Sequence, residues 1–229
     1  MAGPVTVIAA LEEEAHALVR RMPRAESVGP RLLIWEGGGL VVMVAGVGKV
    51  AAAMAAQYAC NVFKPRCLIA IGLAGGVEDG ARPGQVVVAS AAVQHDIDGR
   101  PLTKAKGVIP GLGLSTITAD PSVAEKLLLA ARFESKDARA GLVLTGDQIV
   151  TSRTVRGALV KDFPEAACID METGAVAQVA HQNGLPWSAL RVISDSADET
   201  FDLRGVVGFG VSTAANLFES IIQSVHNEL

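Results

Sequence analysis

Apolar runs of four to nine residues alternate with stretches of helical spacing along almost the whole chain. Residues 5–10 are apolar but for Thr6 and rich in β-branched side chains, as a buried strand requires. Glu12, Glu13 and Glu14 then open a helix expected to reach about residue 22, acids in a first turn being favoured by the helix dipole. Residues 32–36 and 40–45 read as a hairpin across Gly37-Gly38-Gly39. The turn Gly46-Val47-Gly48-Lys49-Val50-Ala51 leads into an alanine-rich helix to about residue 63. Strands are expected at 67–72, 85–93 and 140–145, helices at 120–133 and 151–160, and a loop over 95–116. Residues 205–226 have the spacing of one amphipathic helix.

The stretch 167–198 carries the strongest signal. Residues 167–171 are a short apolar run broken by one acid, 172–181 have small and apolar residues at helical spacing, and Asn183-Gly184 stops that helix. Residues 187–193 form the next apolar run. The two runs lead to Glu172 and Asp195. In open α/β sheets ligands sit outside the carboxyl ends of strands, so two carboxylates delivered there mark a candidate site.

Strands and helices alternate without repeats or linkers, which predicts an α/β protein of one domain over residues 1–229. The expected architecture is a three-layer αβα sandwich around a twisted, mixed, mostly parallel central sheet. With 50% hydrophobic and 19% charged residues, the chain can bury a large core. The net charge of −4 and the lack of a basic block point away from nucleic-acid and anionic-membrane partners. No stretch approaches the ~20 apolar residues of a membrane span, and the first residues lack the basic region of a secretory leader. The three cysteines, Cys60, Cys67 and Cys168, lie in apolar runs and read as buried free thiols of a reducing cytoplasm.

Three motifs suggest chemistry that their surroundings do not support. Gly46-x-Gly48-x-x-Ala51 has the outline of a dinucleotide fingerprint, but the strand after it ends without the acid that would hold a ribose. Lys49 is not followed by Ser or Thr, so it does not complete a P-loop. His95-Asp96-Ile97-Asp98 lacks a second histidine at metal-binding spacing. No metal or cofactor is expected. Arg191, inside an apolar run, is different: a buried arginine needs an acidic partner or an anionic ligand.

Eight segments in order match a family: Glu12-Glu13-Glu14, Gly46 to Ala53, Gly72-Leu73-Ala74-Gly75-Gly76, Gly84 to Val88, Ile109 to Leu112, Thr145-Gly146-Asp147, Asp170-Met171-Glu172 and Arg191 to Asp195. Together they resemble the purine nucleoside phosphorylase/nucleosidase superfamily, most closely the bacterial 5'-methylthioadenosine/S-adenosylhomocysteine nucleosidases. The resemblance implies a cofactor-free enzyme, usually a homodimer, that cleaves the N-glycosidic bond of an adenine nucleoside. Carried over by position, Asp195 would protonate the purine N7 and bind the 6-amino group. Glu172 would grip the ribose hydroxyls, and Met171 would pack on sugar and base. Glu14 would activate the attacking water, with Arg191 helping to place it. Gly46, Ala74, Gly75, Ile149, Val150 and Ser194 complete the implied substrate contacts.

The residue types suit the reaction in their own right. Breaking the C1'–N9 bond builds positive charge on the sugar and negative charge on the base. An acid at the base neutralises the leaving group, and a carboxylate near the sugar stabilises the cation. A second carboxylate takes the proton from water, in the manner of an inverting glycosidase. A phosphorylase must instead hold a dianion with arginine or serine donors. The hexameric phosphorylases place these on the strand that here carries Ala70 and Leu73. Hydrolysis is therefore the expected reaction and phosphorolysis the alternative. A non-catalytic nucleoside binder is the other class, and it has no need of a water-activating Glu14.

The chain also departs from its relatives. Leu73 stands where the methylthioadenosine nucleosidases usually have serine, and Ile149 where they have an aromatic residue over the adenine. Leu102 and Lys104 occupy the register of aromatics that line the 5' pocket, often from the neighbouring subunit. Segment Ser194 to Thr200 resembles the hopanoid-associated phosphorylases, and aminofutalosine nucleosidases are a further relative. The 5' substituent thus stays open. The small apolar face at 52–56 would pack either on a partner subunit or on the sheet.

Overall fold

The computed structural model describes residues 3–24, 32–209 and 213–229. Among the described residues, nine strands and seven helices form an α/β fold. In chain order these are β1 (Val5–Ala9), α1 (Glu12–Val19), β2 (Leu33–Gly37), β3 (Leu40–Val44), α2 (Lys49–Val62), β4 (Cys67–Gly76) and β5 (Val86–Gln94). They continue with β6 (Thr116–Thr118), α3 (Pro121–Glu134), β7 (Arg139–Thr145), α4 (Arg153–Asp162), β8 (Ala166–Asp170), α5 (Thr173–Gln182), β9 (Trp187–Asp195), α6 (Leu203–Phe209) and α7 (Ala215–Val225).

Most boundaries follow the local signals. Gly38 and Gly39 have φ of +61° and +80° and turn the β2–β3 hairpin. Asp120 accepts the N–H of Val123 at 3.0 Å, and Pro121 takes the first helical position of α3. Gly184, with φ +64°, ends α5 as expected.

The sheet is mixed, as predicted, but it is not a simple open layer. The order runs β2-β3-β1-β4-β8-β7-β5-β6, and β9 pairs with both β4 and β5. Strands β4, β8, β7, β5 and β9 therefore close into a five-stranded ring. The closure depends on β4, which pairs in parallel with β9 along most of its length and then turns its last residues, Gly75 and Gly76, onto β8. The register shift between Ala74 and Gly75 lets one strand serve both neighbours.

Successive residues of the strands face two apolar clusters. Leu68 and Ala70 of β4 pack with Ala52, Ala56 and Ala59 of α2 and Val176 of α5. Cys67, Ile69 and Ile71 pack with Leu18 of α1, Leu127 of α3 and Phe218 and Ile221 of α7. Helices on both sides explain why the strands are apolar throughout rather than alternating. Each large side chain so buried stabilises the fold by about 1.5–3 kcal/mol.

Three expectations are corrected, and one that stood open between two alternatives is decided. Helix α1 ends at Val19 rather than near residue 22. The loop expected over 95–116 gives way at its end to β6, three residues paired with β5. The single helix expected over 205–226 is two, α6 and α7, with residues 210–212 outside the described set. The small face of α2 belongs to the sheet side: Ala52, Ala55 and Ala56 are fully buried within the chain, while Val50 and Met54 point outward. Cys60, Cys67 and Cys168 are all free and buried, as read.

Candidate active site

The carboxyl ends of β1, β4, β8 and β9 open on one cavity of about 210 Å³. Glu14, at the third position of α1, is 4% exposed, so it is no solvent-facing dipole partner. Its Oε2 accepts the N–H groups of Ala10 and Leu11 at 3.0 and 2.9 Å, and its Oε1 accepts that of Leu73 at 3.0 Å. Burial nonetheless raises its pKa above the ordinary carboxylate value, against the pull of these amides and of Arg191.

Beneath the cavity floor lies Arg191, 1% exposed. Its Nη2 sits 2.8 Å from Asp170 Oδ2 and its Nη1 3.6 Å from Glu172 Oε2. Its Nε donates to Thr173 Oγ1 at 3.0 Å. The parallel register of β4 and β9 sets Gly72 opposite Arg191. A Cβ at Gly72 would collide with the guanidinium and come within 2.9 Å of Glu14 Oε1. Glycine there lets the cation reach the space between the two acids. Asp170 is fixed in turn by Thr145, whose hydroxyl donates to Oδ1 at 2.6 Å, and by the N–H of Thr173 at 3.0 Å on Oδ2. The acidic partner demanded by a buried arginine is thus Asp170, with no anionic ligand required.

Glu172 follows β8 and is 7% exposed. Its Oε1 accepts the Gly48 N–H at 2.9 Å. Gly48 has φ +100°, so only glycine takes this conformation without strain. Burial pushes the Glu172 pKa up to about 7, since Arg191 offsets the loss of water only in part and Asp170 adds repulsion.

Asp195 ends β9, half-buried on the opposite wall. Its Oδ2 accepts the Ser194 hydroxyl at 2.7 Å and its Oδ1 the Ala197 N–H at 2.8 Å. Ala197 holds φ +49°, a left-handed conformation rare for alanine, and its side chain is fully buried against Gly75. The strained turn aims an amide at the carboxylate and leaves it lining the cavity.

Nine of the thirteen residues singled out from the sequence line this cavity: Glu14, Ala74, Gly75, Ile149, Val150, Met171, Glu172, Ser194 and Asp195. Arg191 stands behind it. Gly46 shapes the turn with φ +93°, but its neighbour Val47 supplies the lining. Leu102, 88% exposed, and Lys104 lie on the surface outside the cavity of the single chain. Asp170 and the mouth formed by Phe201, Leu203, Val206 and Val207 were not singled out. An acid interrupting an apolar strand was the available signal for Asp170. The mouth residues carry no comparable one.

Residues 4–225 match the model of the phosphorylase superfamily, and the chain belongs to it. A 5'-methylthioadenosine/S-adenosylhomocysteine nucleosidase of Geobacillus thermodenitrificans is 34% identical over 202 residues, 84% of each chain. One of Actinobacillus succinogenes is 29% identical over 85% of this chain and 86% of its own. Among solved structures, the Neisseria meningitidis 5'-methylthioadenosine/S-adenosylhomocysteine nucleosidase in complex with methylthio-immucillin-A is 32% identical. It superposes with a TM-score of 0.89, over 97% of this chain and 99% of that one.

Proposed function

We propose that the protein hydrolyses the N-glycosidic bond of a 5'-substituted adenosine and releases adenine. The observation that carries this reading is the make-up of the cavity wall. Glu14, Asp170, Glu172 and Asp195 line it, and among the described lining residues there is no lysine, arginine or histidine. Such a wall repels a phosphate dianion and suits a cationic sugar with neutral water. The nucleosidase activity named for the relatives supports the same reading.

In this mechanism Asp195 delivers a proton to N7 as the C1'–N9 bond breaks, so adenine leaves neutral. The Glu172 carboxylate accepts from the ribose hydroxyls and offsets the charge growing on the sugar. Water adds to C1' and gives its proton to Glu14, whose raised pKa makes it a stronger base than a surface glutamate. Arg191 steadies the ionised forms of Glu14 and Glu172 from behind. Met171, Ile149 and Val150 pack on sugar and base, with Ala74, Gly75 and Ser194 beside them, and Gly46 shapes the turn that carries Gly48.

The 5' end of the substrate leaves toward the mouth, where Phe201, Leu203, Val206 and Val207 favour an apolar substituent. A homodimer fits the outward Val47, Val50 and Met54, which are 52–72% exposed. The family resemblance implies that the Leu102 and Lys104 loop of a partner subunit lines the 5' end of the site. Among the described residues no helix is long and apolar enough to cross a membrane. Together with three buried free thiols, this supports a cytoplasmic location.

The test is a panel of adenosine derivatives, among them 5'-methylthioadenosine and S-adenosylhomocysteine, assayed for free adenine with and without phosphate. Release in phosphate-free buffer is the expected result. Release that requires phosphate would establish phosphorolysis instead, and no release from any derivative would leave only nucleoside binding.

A further inference from the structure

Three segments meet at the rim of the cavity and are tied by a closed ring of polar contacts. Asp96, just after β5, accepts from Lys49 Nζ at 2.7 Å through Oδ1 and from the Asp147 N–H at 3.0 Å through Oδ2. Asp147, just after β7, accepts the Lys49 N–H at 2.8 Å through its own Oδ1. Lys49 is thereby held twice, by backbone and by side chain. The Lys49 and Asp96 side chains are 17% and 27% exposed, so the pair is screened less than an open surface pair. Burial tends to raise the Asp96 pKa, but the Lys49 ammonium and the Asp147 amide outweigh it and keep the group below its ordinary value.

None of the three ring residues lines the cavity, yet Lys49 and Asp147 adjoin residues that serve it. Gly48, immediately before Lys49, donates its N–H to Glu172. Gln148, Ile149 and Val150, immediately after Asp147, form part of the wall. A Cβ on Gly48 would lie 3.1 Å from Asp147 Oδ1, so the glycine turn and the 147–150 segment are in direct contact.

We infer that Asp96 is a positioning residue for the sugar subsite: through Lys49 and Asp147 it ties the glycine turn to the 147–150 segment, keeping the Gly48 N–H on Glu172 and the Ile149–Val150 wall in place. The inference rests on the nucleosidase reading. Removing Asp96 frees the Asp147 N–H and the Lys49 ammonium, which water can satisfy. The turn then loses its tether, and Glu172 loses a donor for part of the time. A carboxylate that loses an amide donor becomes harder to ionise. The charged groups facing it, Arg191 of β9, Asp170 of β8 and Glu14 of α1, stay as they are.

The experiment compares Asp96→Ala, Asp147→Ala and Asp147→Asn by steady-state kinetics across pH, with a melting temperature for each and calorimetric titration of adenosine in parallel. Asp96→Ala should raise KM about tenfold and leave kcat within about threefold, the pattern of lost uniform binding. It should also move the acid limb of kcat/KM upward by about half a pH unit. Asp147→Ala should behave alike, whereas Asp147→Asn, which keeps an oxygen for the Lys49 N–H, should stay near wild type. Should Asp96→Ala not fold, Lys49→Met carries the same expectation for KM and the acid limb. An unchanged KM and acid limb in a folded variant overturns the inference, and so does equal damage from Asp147→Asn and Asp147→Ala. If the wild type releases no base, the nucleosidase reading fails by itself. Calorimetry then decides the positioning role: about tenfold weaker adenosine binding by Asp96→Ala upholds it, and unchanged affinity overturns it.

Discussion

The inner end of the cavity and its mouth are built on opposite principles. At the inner end Glu14, Asp170, Glu172 and Arg191 are each less than a tenth exposed, and each is held by backbone amides, threonine side chains or an opposite charge. At the mouth Leu203 is 59% exposed. Helix α6, which carries Leu203, Val206 and Val207, contains no buried residue. The inner end pre-arranges charge at the cost of burying it. The mouth offers apolar surface without fixing where it lies. The reacting bond therefore belongs at the inner end, and choice among 5' substituents at the mouth.

The largest effects should come from the acids assigned to proton transfer. Asp195→Asn cannot deliver a proton to N7, and Glu14→Gln cannot accept one from water. Each should lower kcat by at least ~10²-fold, and Asp195→Asn should do so with a melting temperature close to that of the wild type. Single-turnover release of adenine is the measurement. A near-normal rate in either variant would remove that residue from its role and place the chemistry elsewhere on the wall.

How far this division could be read from the residues depends on how local each signal is. The alternation of strands and helices was legible because apolar runs and helical spacing are properties of short windows, as in β3, α2 and β9. Glu172 and Asp195 were legible because acids at strand ends break a pattern, whereas Glu14 reads locally as one of three first-turn acids and was marked only by the family resemblance. Closure of the ring was not, because it depends on β9 reaching both β4 and β5 at a register no short window specifies. Asp170 was passed over because only the fold sets it against Arg191. Thr145 and Thr173, which fix Asp170, look like ordinary strand-end and helix-start residues. At the other end, 205–226 reads as one helix by spacing alone, and the break between α6 and α7 is what makes a separate mouth helix.

Next in size is a dependence on pH that sets stability against function at the inner end. The Glu172 pKa of about 7 lies above its ordinary value of 4.5, so the folded protein binds this proton more tightly than the unfolded chain. The group's contribution to stability is fully present below the unfolded value and is lost as pH rises toward about 7. Glu172→Gln should therefore stabilise the protein more at about pH 8 than at about pH 5, by about 1 kcal/mol or a few degrees in melting temperature. The ribose grip proposed for Glu172 requires the ionised form, so kcat/KM of the wild type should fall about tenfold per unit below the Glu172 pKa. Paired melting curves and rate profiles check both signs. A variant with no pH-dependent gain in stability would mean that Glu172 ionises freely in the folded protein.

The smallest effects belong to the mouth. Leu203→Ala removes apolar surface from a side chain already 59% exposed, so about 1 kcal/mol is the most its contact with a substituent should be worth. That corresponds to about fivefold in kcat/KM, and the loss should fall on substrates with an apolar 5' group. Adenosine, whose 5' group is a hydroxyl, should be nearly unaffected. Ile149→Phe should act differently, because residue 149 is assigned to the base rather than to the 5' end. An aromatic ring there gains stacking worth about 0.5–1.5 kcal/mol, shared by every adenine nucleoside. Rates for adenosine and a 5'-alkylthio derivative, measured side by side, separate the two. Equal loss on both substrates in Leu203→Ala would show that α6 supports the whole cavity, and the contrast between a fixed inner end and a selective mouth would then fail.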